Sequence, residues 1–440
     1  MQQECASHFQ TGLDSLSTKP SPQVIKPSLM LRTSVPENLG NDCILKVEHL
    51  TSGPGNLLRE QWFQVTGDIV TVKLKHCVWI LKYIKPVIAC GDTKLKQFLD
   101  EHCPISKEKF WPTWWAFEGR MQTVLRSLLQ SQPHMEYTGE YIKCPDGGVI
   151  KLDWVENDDH SRTSKDLRPT ILLLPGLTGN SSESYILHMV EDATAMGYRS
   201  VVFNNRGTCG TPLKTPRTYC ASKSDDTALV IDHIKKRYPD APLMGIGISL
   251  GGMILFNYMA HYGSTARLCA AMCFSVNWNV FKGIESLETP INYHLFNRVL
   301  AKALCGLVEM HSDVLEKHED LEIPHILKSQ TIRDFDERFT SKVFGYESLD
   351  HYYEDASLHT KIHALGKPVV CLSAGDDPFS PAHSVPLKDA ETNDNIAIVL
   401  TSHGGHIGFL EGTLPRHRSY MYRWMRQFVP AMFEHGIKSL

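Results

Sequence analysis

Leu243–Tyr262 reads LMGIGISLGGMILFNYMAHY. The first six residues are an unbroken apolar run of strand length, as expected of a strand covered on both faces. The last thirteen have the length and composition of a helix. Between them stands Ser249, with Gly247 two residues before it and Gly251 two after, a G-x-S-x-G pattern. The pattern alone is short and recurs by chance. In a strand–turn–helix setting it has a physical meaning: the turn is sharp, the serine backbone is strained, and glycines at those two positions remove the side chains that would collide. The hydroxyl is then lifted above the sheet. An incidental serine at a strand-to-helix turn is the plain alternative, and the setting weighs against it.

The surrounding sequence repeats the alternation of strand and helix. Strands are expected at ILLLP (171–175), SVVFN (200–204), LCAAMCFSV (268–276), PVVCLS (368–373) and IAIVLT (396–401), with helical stretches between them such as Asp225–Arg237. This is the pattern of a mostly parallel sheet with helices on both faces. Ahead of it, TGEYIKC and GVIKLDW alternate apolar and polar residues around Pro145-Asp146-Gly147-Gly148, a hairpin signal. The alternation breaks over residues 278–366, where YHLFNRVLAKALCGLVEM has helical period and no strand stands out. That stretch is expected to be a helical lid inserted between two parts of the core, 94–277 and 367–440. Its stripe of Leu295, Phe296, Val299, Leu300 and Leu304 is the expected wall of an acyl pocket. Residues 1–66, rich in Ser, Pro, Gly and Asn, are expected to be a disordered leader.

A serine hydroxyl needs a base to become a nucleophile. His406 follows the last strand in SHGGHIGF, where the glycines let the chain swing an imidazole toward Ser249; His403 is its rival. The base needs an orienting carboxylate, and Ala374-Gly375-Asp376-Asp377-Pro378-Phe379 follows the strand before. Asp377 is favoured and Asp376 is the alternative. Serine, acid and histidine then come in the chain order that a G-x-S-x-G enzyme of the α/β-hydrolase fold requires. Two backbone amides must stabilise the oxyanion: Leu250, at the start of the helix, and Leu177, in the loop Pro175-Gly176-Leu177-Thr178-Gly179. Arg206, in Asn205-Arg206-Gly207, is expected to tie loops together. The sequon Asn180-Ser181-Ser182 is read as chance, because a glycan there would obstruct the loop. No Cys/His spacing suits a metal, and the chemistry calls for neither metal nor cofactor.

Composition narrows the substrate. Hydrophobic residues make up 42% of the 440 and the formal net charge is −4, which gives no pull toward nucleic acid. The twelve cysteines, from Cys5 to Cys371, include no CxxC pair and are expected to be mostly free thiols. The most apolar stretch of membrane-spanning length, Ile69–Cys90, carries Lys73, Lys75, Lys82 and Lys85, a costly load in hydrocarbon. Residues 67–93 are therefore expected to be a membrane-surface or amphipathic segment. The aromatic run FWPTWWAF at Phe110–Phe117 reads as core or interface anchors, with a lipid-facing role as the other option.

Taken together, LLLPGLTG, FNNRG, GISLGGM, SLETP, TIRDFDERFT, FGY, SAGDDPFSP and GGHIGFLEG resemble the AB hydrolase 4 family, the abhydrolase domain-containing proteins 1 and 3. The resemblance runs from about Lys94 to the C-terminus. It implies a lipid-ester hydrolase of phospholipase or acylglycerol-lipase type, acting on short or medium acyl chains, with the triad on Ser249, an aspartate of DDPFSP and His406. It also implies a membrane-associated protein, although residues 1–93 lack the single apolar anchor typical of the family. Transfer of the acyl group to an alcohol is the second reading. It ranks lower because His406 is followed by Glu411 where some relatives have an HxxxxD motif. A non-catalytic scaffold ranks last.

Overall fold

The computed structural model describes residues 85–158, 163–417 and 419–440, together with the backbones of 43–49 and 59–65. Taken by itself, the segment Met1–Lys82 contributes one antiparallel pair, β1 (Cys43–His49) and β2 (Arg59–Val65), with Cys43 opposite Val65. The pair lies within the expected leader. Its sequence signal is a short alternation, Leu45-Lys46-Val47-Glu48, easily lost in a polar stretch. The remaining residues of the leader, and 67–84 of the expected amphipathic segment, lie outside the described residues.

The unit Tyr83–Leu440 is built on one nine-stranded sheet. In chain order the strands are β3 (Val87–Ala89), β4 (Thr138–Lys143), β5 (Val149–Val155), β6 (Thr170–Leu174), β7 (Arg199–Asn204), β8 (Leu243–Ile248), β9 (Ala271–Phe274), β10 (Val369–Ala374) and β11 (Ile396–Thr401). Across the sheet they run β3-β11-β10-β9-β8-β6-β7-β5-β4. The six from β11 to β7 are parallel; β3 pairs antiparallel with β11, β5 antiparallel with β7, and β4 antiparallel with β5. The sheet therefore begins at Val87 and not near Lys94. A three-residue edge strand is too short to show a period.

The apolar runs have a two-sided reason. Along β6, Leu172 and Leu174 enter one hydrophobic core and Ile171 and Leu173 the other, because successive strand side chains point to opposite faces. The principal helices are α1 (Lys94–His102), α2 (Gly119–Leu129), α3 (Ser184–Ala195), α4 (Asp225–Arg237), α5 (Leu250–Tyr262), α6 (Val280–Leu287), α7 (Arg298–Met310), α8 (Leu349–Ala356) and α9 (Tyr420–Ala431). Helix α5 is apolar all round and buried from Gly251 to Ala260, as a helix pressed between sheet and neighbouring helices must be.

Between β9 and β10 the chain is helical, as expected for 278–366. It divides into two packing environments. Trp278, Ile284, Leu287, Phe296, Tyr352 and Tyr353 join the main core. Leu304, Cys305, Val308, Phe335 and Phe339 form a small core of their own, against which Leu177 packs. The predicted stripe does not hold as one wall. Phe296 and Leu304 are buried, but Leu295 is 44% and Val299 59% exposed. Residues four or eight apart still share a side, Phe296 with Leu304 and Leu295 with Val299, so the expected stripe spans two sides of the helix and only one of them turns inward.

Among the described residues, no helix is long and apolar enough to cross a membrane. The nine described cysteines are free.

Candidate active site

Four parallel strands send the loops that follow them to the same edge of the sheet, β10 and β11 running about three residues beyond the end of β6. Leu174 of β6 lies opposite Gly247 of β8, and Ala374 of β10 opposite Thr401 of β11. In open sheets of this kind the carboxyl ends of the strands hold the site. Ser249 follows β8 at φ 53° and ψ −119°, a region that costs a non-glycine residue roughly 1–3 kcal/mol. The surroundings enforce it. A side chain on Gly251 would stand 2.2 Å from the Leu174 carbonyl, and one on Gly247 2.5 Å from the Gly251 carbonyl. Helix α5 therefore starts against β6 only because both positions are glycine.

Ser249 Oγ lies 2.7 Å from His406 Nε2, and His406 Nδ1 lies 3.0 Å from Asp377 Oδ2 and 3.1 Å from Oδ1. Asp377 is 3% exposed and also accepts the Phe379 N–H at 2.8 Å. The Phe379 ring stacks on the imidazole, with ring centres 4.0 Å apart. With Nδ1–H held by the carboxylate, Nε2 faces the hydroxyl as an acceptor, so this arrangement can take the serine proton. His403, the rival, is buried and hydrogen-bonded to the Ser402 hydroxyl at 2.9 Å.

Asp376 has a different position. Its Oδ1 accepts the Gly405 N–H at 2.8 Å, so it holds the residue next to His406. Burial, with the Asp377 carboxylate alongside as a lesser cause, pushes its carboxyl up to about 7.

The loop after β6 brings Gly176 against Ser249; a Cβ added there would be 3.4 Å from the serine Cβ. Gly176 N–H donates to the Tyr185 hydroxyl at 3.0 Å and Thr178 N–H to the Tyr219 hydroxyl at 3.1 Å. Burial pushes the Tyr219 phenol up to about 12, so it is neutral at ordinary pH. Between these two engaged amides, Leu177 N–H donates to nothing among the described residues, and neither does Leu250 N–H at the first turn of α5. An open amide in the first turn of a helix is ordinary; the open Leu177 amide lies in the loop that Gly176 brings against Ser249.

The family model for the alpha/beta hydrolase fold matches residues 169–413. The chain belongs to the alpha/beta hydrolase fold family. Phospholipase ABHD3 of Homo sapiens is 50% identical over 353 residues, 80% of this chain and 86% of that protein. Monoacylglycerol lipase ABHD2 of Danio rerio is 28% identical over 363 residues, 79% of this chain and 83% of that protein. Monoacylglycerol lipase of Saccharomyces cerevisiae is 28% identical over 295 residues, 66% of each chain.

Several residues that support this hydrolase site lie outside every motif of the sequence. Thr123 Oγ1, on α2, accepts the His406 N–H at 2.8 Å from 283 positions away. Ser275 Oγ accepts the Ile407 N–H at 3.0 Å. Tyr185 and Tyr219 had no motif to mark them. Arg206 is buried and pairs with Asp226 and Asp146, joining the start of α4 to the β4–β5 turn. Asn180 Oδ1 accepts from the Ser182 amide and hydroxyl, which closes the loop locally.

Proposed function

We propose that this protein hydrolyses carboxylic esters of lipids through an acyl-enzyme on Ser249. His406 Nε2 takes the proton as Ser249 Oγ attacks the ester carbonyl, and Asp377 keeps the imidazole in the right tautomer. Leu177 and Leu250 N–H receive the developing oxyanion; a donor of this kind is worth roughly 10²–10³ in rate. His406 returns the proton to the departing alcohol. Water then attacks the acyl group with His406 again as base, releasing a carboxylic acid and freeing Ser249.

The observation that carries this reading is the unbroken chain of contacts from Ser249 through His406 to Asp377, in a family whose relatives include proteins named phospholipase and monoacylglycerol lipase. The helical insertion serves as the cover of the acyl site. In support, Leu177 packs on its small core, Ser286 donates to the Pro378 carbonyl at 2.7 Å, and Phe296 meets Phe379. The enzyme works at a membrane surface, where such esters reside.

A fluorophosphonate probe, which marks only activated serines, tests the reading directly. Wild-type protein is labelled and hydrolyses p-nitrophenyl butyrate, whereas Ser249→Ala does neither while keeping the wild-type circular dichroism. Labelling of Ser249→Ala at wild-type strength would sink the assignment.

A further inference from the structure

Helix α2 is built inside out. Its inward side is polar: Gln122 is fully buried and accepts the Leu410 N–H at 2.9 Å, and Thr123 holds the His406 amide. Its outward side carries Met121, Val124 and Leu128 at i, i+3 and i+7, the last 72% exposed. A helix of a globular domain ordinarily has the opposite arrangement.

The apolar side continues onto neighbouring chain. The segment after His406 runs alongside α2 and the stretch before it: Thr113 N–H donates to the Leu410 carbonyl, Trp115 Nε1 to the Thr413 carbonyl at 2.9 Å, and Ser131 N–H to the Arg416 carbonyl. This pairing places Leu414, 76% exposed, in the segment that joins the two ends of the helix, and Trp114, 73% exposed, in the stretch that leads into it. Trp111 is more than half exposed as well. Exposed apolar side chains gathered on neighbouring segments in this way mark an interaction site.

We propose that this face docks on the headgroup region of a phospholipid bilayer and sets the Ser249 site against the lipid surface. Three observations select that occupant. The stretch leading into the helix exposes Trp111 and Trp114, and amphipathic rings of this kind settle at the membrane–water interface. Exposed Lys109 and Arg416 lie in the same two segments and complement lipid phosphates. The polar side of the same helix holds His406, so a bilayer bound to one side lies one helix away from the ester chemistry. The proposal rests on the lipid-ester reading above.

The test uses the full chain with vesicles of phosphatidylcholine. Wild-type protein and Ser249→Ala sediment with the vesicles alike. The triple variant W114S/L128S/L414S loses at least tenfold in vesicle partitioning and in hydrolysis of vesicle lipid, yet keeps wild-type hydrolysis of soluble p-nitrophenyl butyrate. Leu414→Trp strengthens partitioning. Unchanged partitioning of the triple variant overturns the proposal, whether or not its melting temperature falls, as it would if another part of the chain covers the face. Loss of a concentration-dependent dimer in the triple variant with partitioning intact overturns it in favour of a second copy. Because butyrate hydrolysis reports on the site alone, failure of the docking proposal is distinct from failure of the esterase reading.

Discussion

Asp376 and Asp377 are neighbours in the chain but hold different parts of one loop: Asp377 takes the Nδ1–H of His406 at 3.0 Å, and Asp376 takes the N–H of Gly405 at 2.8 Å. One carboxylate orients the ring and the other fixes the backbone that carries it.

This division predicts unequal effects on rate. Asp377→Asn should lower kcat by roughly 10⁴-fold, because the amide favours the wrong imidazole tautomer. Asp376→Asn keeps an oxygen for Gly405 and should cost much less than the roughly 10²-fold that a misplaced catalytic group can cost. Steady-state kinetics on p-nitrophenyl butyrate decide the matter, and the reverse ranking transfers the orienting role to Asp376.

The same pair predicts a dependence of stability on pH. The Asp376 carboxyl, pushed up to about 7 by burial, binds its proton more tightly in the folded chain than in the unfolded one. Its contribution is therefore fully present below about pH 4, the ordinary carboxylate range, and is lost as pH rises to about 7. Asparagine has no proton to lose. The melting temperature of Asp376→Asn minus that of wild type should rise between pH 4 and pH 7 and level off above. A flat difference across that range refutes the raised carboxyl.

Tyr219→Phe removes the acceptor that engages Thr178 N–H, which frees the loop bearing Leu177 to shift. The expected result is a loss of roughly 10- to 100-fold in kcat with little change in KM, since a displaced donor weakens transition-state contacts first. A purely structural role for this tyrosine would lower the melting temperature and leave kcat intact.

The helical insertion offers a contrast within one helix. Leu304→Ala opens a cavity in the small core against Leu177 and should cost about 2–5 kcal/mol, read by urea denaturation. Val299→Ser, on the exposed side, should stay within about 0.5 kcal/mol. If both cost the same, the division of α7 into buried and exposed sides is wrong. Leu304→Phe, which overfills the same contact, should also lower the preferred acyl length in a p-nitrophenyl ester series while sparing short esters.

Much of this protein could be read from local pattern. The buried run before Ser249, the glycines around it and the order serine, aspartate, histidine after successive strands are short-range features. Each follows from what a strand or a sharp turn permits its own residues to be. The helical character of 278–366 was legible for the same reason. What tertiary structure decided lies between residues distant in the chain. Thr123 reaches His406 only because α2 folds onto the histidine loop, and Tyr219 meets Thr178 only because two loops converge at one sheet edge. The loop pattern favours Asp377 with Asp376 as the alternative, but which carboxylate meets the imidazole and which meets Gly405 N–H depends on side-chain direction, which reverses with a shift of one residue. The outward apolar side of α2 was likewise hidden, because periodicity shows that a helix has two faces and only packing determines which of them turns inward.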